Sequence, residues 1–193
     1  MATFHGFKVT NLRSWEGMEG LATSGTLYWN GKKLGNFADY GDGGCVSYRF
    51  PLSRDLSKLV AEQLPNLCAE VYGDDATWMT PSLDTLVLAL CDLAETEKVL
   101  RSAFGRAKRQ GKVLVTAKEG RTAYQTFAIG ASVPDKDILD AVRQAAPGCD
   151  EYRVWRTAPV LSEGDGERVR DDALCGRILA VEKDARARLA QSA

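Results

Sequence analysis

The sequence predicts an α+β fold, in which an antiparallel sheet packs on a long central helix and a further helix follows at the C-terminus. Three observations lead to this prediction. Apolar and polar residues alternate on both sides of Asn30-Gly31, a leucine stripe at helical spacing runs through 83–110, and a second pair of strand-like segments covers 112–118 and 122–130. Alternation with a period of two is typical of strands, whereas a period of 3.6 is typical of amphipathic helices.

The first fifty residues predict an antiparallel meander of three or four strands. Residues 7–15 alternate well enough to form the first strand, and 26–29 and 32–40 flank Asn30-Gly31. Asn-Gly favours a type I′ hairpin turn, because both central residues of that turn must adopt positive φ. A glycine-rich turn then leads to a last strand at 45–50. Such a sheet needs a helix to cover its apolar face.

Two helices are predicted to supply that cover. Ser53 is a candidate N-cap for the first, whose apolar face contains Leu56, Leu59, Val60 and Leu64, and Pro65 ends or kinks it. The pattern at 66–80 is ambiguous. Pro81 opens the long helix, which ends near Gln110 with Gly111 as its C′ residue. Its stripe, interrupted by Glu97, consists of Leu83, Leu86, Leu90, Leu93, Leu100, Phe104 and Ala107.

The second half adds a hairpin, a helix, a strand and a terminal helix. The hairpin comprises 112–118 and 122–130, a helix follows from Pro134 through Ala146, and 152–157 returns as a strand. The last helix places Leu174, Ile178, Val181, Ala185 and Leu189 on one face. We therefore predict one domain over 1–156, and a loop and C-terminal helix over 157–193 that packs on this domain or mediates association, including homodimer formation.

The composition narrows the class of protein to which the chain can belong and the cellular compartment that we expect for it. The chain has 193 residues, of which 45% are hydrophobic and 26% charged, and a formal net charge of −1, which argues against both a histone-like coat and an acidic DNA mimic. No apolar run approaches the roughly 20 residues of a membrane span, and 1–11 lacks the apolar core of a signal peptide. We therefore expect a cytoplasmic protein without membrane association, whose five dispersed cysteines are reduced thiols.

The sequence offers little material for catalysis. His5, the only histidine, is expected in an N-terminal tail, so Ser-His-Asp and Cys-His chemistry lack their base. We recognise no phosphate-binding glycine loop and no zinc motif, and we predict neither cofactor nor metal. The segment Asp39–Gly44 superficially resembles a calcium loop, but it lacks the remaining oxygen ligands and is interpreted as a tight turn. An enzyme with carboxylate-only chemistry, using Asp39 and Asp42, remains an alternative.

Charge is distributed unevenly along the chain. Residues 62–97 contain eight acidic residues and no Lys or Arg, whereas 101–124 contain seven basic residues and one acid. This order complements the dipole of the long helix, which is the interpretation we favour, but the basic cluster could also bind phosphate groups or an acidic partner. The candidate partner-binding residues are Arg101, Arg106, Lys108, Arg109, Lys112, Trp15 and Tyr40.

One stretch carries a resemblance. The segments SWEGMEG and TLYWNGKKLGNFADYGDGGCVSYRF, followed by Leu64-Pro65 and GKVLVTAKEG, resemble an uncharacterised family of small bacterial and phage accessory proteins carried by mobile elements. The resemblance covers roughly residues 7–155. Its motifs are turn glycines and strand residues, so it transfers no catalytic residue.

The resemblance and the absence of catalytic motifs together favour one function. We expect a non-enzymatic accessory protein that binds a macromolecule, with a host or phage protein complex as partner. Within that class we favour an accessory protein encoded by a phage or another mobile element, and an inhibitor of a host defence complex is the specific form that we consider. The alternative is a nucleic-acid-associated factor that uses the cluster from Arg101 to Arg121, and an enzyme with carboxylate chemistry comes third.

Overall fold

The computed structural model describes residues 2–50, 53–73, 76, 78–120 and 123–163. They form an α+β fold with antiparallel sheets and a long helix, as predicted. The chain divides into two compact units, one containing Ala2–Cys91 with Ser162–Glu163 and the other Asp92–Leu161. We call them the N-terminal and the second unit. The predicted C-terminal helix falls outside the described residues, and the predicted domain limits stay a prediction.

The N-terminal unit contains a six-stranded sheet in the order β5-β4-β3-β2-β1-β9. The central strands pair antiparallel, as the predicted meander requires, whereas β9 runs parallel to β1. The last meander strand is shorter than the predicted 45–50. The strands are β1 (Thr3–Phe4), β2 (Phe7–Glu16), β3 (Leu21–Trp29), β4 (Lys32–Asp39), β5 (Ser47–Arg49) and β9 (Ser162–Glu163).

The β3–β4 hairpin confirms the predicted Asn-Gly turn. Asn30 has φ 44° and Gly31 has φ 83°, so both central residues lie in the left-handed region that a type I′ turn demands. Trp29 pairs with Lys32 directly beside the turn. The turn therefore sets the register of the first two pairs, and a shift between Leu27 and Tyr28 changes the register by one residue for the rest of the hairpin.

Three helical segments belong wholly or partly to the N-terminal unit: α1 (Ser53–Gln63), α2 (Leu67–Tyr72) and the start of α3 (Leu83–Arg109). The predicted apolar face of α1 is buried, and α2 fills the segment whose pattern was ambiguous. In α3, Leu83, Leu86 and Leu90 are all buried as the stripe predicts. The unit boundary between residues 91 and 92 falls within α3. No helix of the described residues is long and apolar enough to cross a membrane.

The second unit contains a three-stranded antiparallel sheet in the order β7-β6-β8, formed by β6 (Lys112–Glu119), β7 (Ala123–Gly130) and β8 (Glu151–Trp155). Helix α4 (Asp135–Ala145) buries Ile138 and Val142 against the valines of β6. On β8, the Trp155 indole donates a hydrogen bond of 2.9 Å to Thr116 Oγ1 of β6. The predicted hairpin, helix and returning strand are therefore all present.

His5 corrects one expectation. The histidine does not lie in an exposed tail: it forms part of the turn between β1 and β2 and is only 2% exposed. Its Nε2 lies 2.6 Å from Glu70 Oε2 of α2, and its ring packs edge-on against Phe4. Sequence analysis missed this burial, because the two-residue strand β1 is too short to show a period.

Candidate functional site

The N-terminal sheet ends in two loops that are bonded to each other. The turn between β2 and β3 is closed by Gly17 N–H donating to Gly20 O at 2.7 Å. Glu19 N–H then donates to Gly41 O, also at 2.7 Å, and joins this turn to the loop that follows β4. We call the residues 15–21 and 39–44, which form this joined structure, the apex.

Gly17 explains why the two loops can approach so closely. A Cβ atom at this position would lie 2.7 Å from Tyr40 O, 2.8 Å from Gly20 O and 2.9 Å from the Cα of Gly41. All three neighbours are backbone atoms, which cannot rotate away as a side chain could. Only glycine therefore fits here without moving the second loop.

The carboxylates of the second loop stabilise the loop itself. Asp39 Oδ1 accepts the N–H of Gly41 at 2.9 Å, and Asp42 Oδ1 accepts the N–H of Gly44 at 3.1 Å. Aspartates that bond the backbone two residues on form tight turns, which agrees with the interpretation of this segment as a turn. Among the described residues, no group of three or more His, Cys, Asp or Glu side chains could hold a metal ion.

The apex exposes large apolar side chains. Met18 is 93% exposed and Leu21 is 60% exposed, while Trp15 and Tyr40 are about half exposed. Sequence analysis selected Trp15 and Tyr40 but missed Met18 and Leu21, because the sequence does not show that the two loops meet. Large apolar side chains exposed on two joined loops make the apex the candidate interaction site.

The same two loops carry acidic residues. Glu16, Glu19, Asp39 and Asp42 belong to the apex, and residues 14–23 and 39–47 contain no Lys or Arg. The apex is therefore apolar at its exposed side chains and negative in formal charge. Opposite charge at the rim favours a partner with basic residues around an apolar pocket.

The sheet beneath the apex is tied to α3 through one carboxylate. Asp84, in the first turn of α3, accepts the Tyr48 hydroxyl at 2.6 Å with Oδ1 and the Val46 N–H at 3.3 Å with Oδ2. Burial and the hydrogen bond to Asp84 raise the pKa of Tyr48 far above its ordinary value. This contact anchors β5 and the end of the second loop.

The predicted basic cluster lies in the second unit. Arg106, Lys108, Arg109 and Lys112 are exposed around the end of α3 and the start of β6. Arg101 is engaged within its own unit: its Nε lies 2.9 Å from Glu97 Oε1 and donates to Pro159 O at 2.9 Å. Glu97, which interrupts the stripe, is buried and its Oε2 also accepts the N–H of Leu161 at 3.0 Å.

Comparison of the chain with protein-family models, with curated proteins and with solved structures finds no match.

Proposed function

We propose that the protein is a non-enzymatic binding protein that recognises another protein through its apex. The observation that carries this proposal is the group of exposed apolar side chains on two loops that are bonded together. Rigid loops lose little conformational freedom on binding, which leaves more of the interaction energy for affinity. Trp and Tyr are also the residue types most enriched at interface hot spots.

The proposal includes the partner's chemistry. An apolar pocket fits Met18 and Leu21, and basic residues around that pocket match the four acids of the apex. We further propose that the chain is a cytoplasmic accessory protein of a mobile element and that its target is a host defence complex. Support for this origin comes only from the resemblance of residues 7–155.

The first experiment is capture from a bacterial lysate followed by mass spectrometry. The wild type is compared with the Met18→Ser/Tyr40→Ser double variant and with Val99→Ser. Val99 is a suitable control because it is 60% exposed but lies on α3, outside the apex. We expect a protein that the wild type and the control retain and that the apex variant loses. Equal capture by all three would refute the proposal.

The captured protein is then purified and titrated by calorimetry. Loss of a central interface anchor costs about 2 kcal/mol or more, so the double variant should weaken binding at least thirtyfold. Because the apex contains four acids and no Lys or Arg, affinity for a basic partner should also fall as salt rises. Affinity that is unchanged in the apex variant would show that the partner binds elsewhere.

A further inference from the structure

A second surface of the N-terminal unit differs in charge from the apex. Residues directly opposite one another on neighbouring strands point to the same side of a sheet. Phe7, Val9, Leu27 and Phe37 are buried on the core side. The strand register places the opposite side in four rows, which we call the outer face: Lys8-Tyr28-Lys33, Thr10-Thr26-Asn36-Arg49, Arg13-Ser24-Ala38-Ser47 and Trp15-Ala22.

An open groove of about 460 Å³ runs along the outer face. Arg13 and Arg49 line it together with the polar residues Asn11, Ser24 and Asn36, and none of its described lining residues is acidic. Its lining also includes Thr26, a side chain that is only 7% exposed. The groove therefore combines positive charge with hydrogen-bonding groups.

Thr26 orients the amide of Asn36, which lines the groove. Its hydroxyl donates to Asn36 Oδ1 at 3.0 Å. Because this bond engages the amide oxygen, Asn36 keeps its NH₂ group as a hydrogen-bond donor. Asn36 lies on the strand beside that of Arg49 and two strands from that of Arg13, and a donor in this position suits the oxygens of an anionic ligand.

The spacing of the arginines indicates a ligand with repeated charges. Arg13 lies on β2 and Arg49 on β5, with β3 and β4 between them. Three strand spacings amount to about 14 Å. Backbones this far apart allow the two arginine side chains to contact separate anions on a connected chain.

Aromatic side chains distinguish nucleic acid from an acidic peptide. Tyr28 lies between Lys8 and Lys33 in its row, with the Lys8 ammonium 5.3 Å from the centre of its ring. Trp15, which the outer face shares with the apex, lies at the opposite end of the outer face and is 42% exposed. Both rings lie on the outer face but outside the described lining of the groove. A positive surface that also presents aromatic side chains is typical of proteins that bind single-stranded nucleic acid, because unpaired bases can stack on the rings.

We propose that the groove binds the phosphodiester backbone of single-stranded nucleic acid. Arg13 and Arg49 each contact one phosphate, and Asn36 donates to an oxygen between them. This ligand goes beyond the protein partner proposed for the apex. It also differs from the nucleic-acid hypothesis drawn from the sequence, because the basic cluster around Arg106 takes no part.

The test measures fluorescence anisotropy of a labelled oligothymidylate of about 20 nucleotides, which spans one or more typical binding sites. The Arg13→Ala/Arg49→Ala variant is compared with Arg106→Ala/Arg109→Ala, a matched control that removes the same charge from the basic cluster. We expect the groove variant to lose tenfold or more in affinity. Its slope of log affinity against log salt should fall by about 1.4, since each single-strand phosphate contributes about 0.7. The control should bind as the wild type does.

Further variants and controls make the result of this test unambiguous. Circular dichroism checks folding, and Arg49→Lys, which keeps the charge, should retain most of the affinity. The apex variant Met18→Ser/Tyr40→Ser should bind the oligonucleotide normally, so failure of one proposal is distinguishable from failure of the other. No binding of the oligonucleotide, equal loss in the control, or equal binding of a poly-glutamate peptide of matched charge would overturn the proposal.

Discussion

Glu97 provides the sharpest test of how the second unit is stabilised. Its buried carboxylate accepts the N–H of Leu161 at 3.0 Å and lies 2.9 Å from the Nε of Arg101. Hydrogen bonds to a charged group contribute about 1.5–3 kcal/mol, and a buried N–H left without a partner costs about 1–3 kcal/mol. Arg101 is half exposed, so solvent weakens its ion pair with Glu97. We therefore expect Glu97→Ala to lower the free energy of unfolding by about 3 kcal/mol.

The Glu97→Gln variant removes the charge of the side chain but keeps its shape, so it measures the effect of the charge alone. Glutamine retains an oxygen for the Leu161 N–H but no charge for Arg101, so we expect a loss of about 1–1.5 kcal/mol. Urea denaturation followed by circular dichroism measures both variants. Asp140→Asn is the control, because Asp140 pairs with Arg143 at the surface, and it should cost under about 0.5 kcal/mol. If Glu97→Ala unfolds at the wild-type urea concentration, the buried carboxylate does not stabilise the unit as we argue.

Three further predictions concern the N-terminal unit. Gly31→Val should lower the free energy of unfolding by about 1–2 kcal/mol, because valine is strained at φ 83°, and an unchanged urea midpoint would contradict this. The pKa of Tyr48 is raised on folding, so the stability that its neutral hydroxyl contributes is complete below pH 10 and is lost above pH 10 by about 1.4 kcal/mol per pH unit. Denaturation measured above pH 10 should therefore show that the free energy of unfolding falls less steeply with pH in Tyr48→Phe than in the wild type. Alkylation of the native protein without reductant should modify exposed Cys45 first, and buried Cys68 and Cys91 only after denaturation; a disulfide in fresh protein would refute the prediction of free thiols.

The sequence predicted those features of the fold that depend on neighbouring residues. Asn30-Gly31 determines its own turn, and the leucine period of α3 is visible along the chain. The features that escaped prediction depend on residues far apart in sequence. Glu97 looked like an interruption of the stripe, because its partner Leu161 lies 64 residues away. His5 is buried and contacts Glu70, which lies 65 residues away, and the sequence does not show that contact.

In the candidate sites too, the features that escaped prediction depend on residues far apart in sequence. Trp15 and Tyr40 could be selected from the sequence because large aromatic residues beside turns are conspicuous. Met18 and Leu21 join them only because the Glu19 N–H bonds Gly41 O and closes the apex. The outer face was harder still to predict, because its rows depend on the register of four strands. Alternation within each strand shows which residues share a side, but it does not show which residues lie opposite them.

Net charge is a poor guide to the partners of this chain. A value of −1 argues against a polyanion only if charge is spread evenly over the surface. In the N-terminal unit the apex has four acids and no Lys or Arg, whereas the outer face has four cations and no acids. At physiological salt, charges act over about 8 Å, so a ligand responds to the surface that it touches rather than to the whole chain. A basic protein surface at the apex and a nucleic-acid strand on the outer face are therefore electrostatically compatible within one small unit.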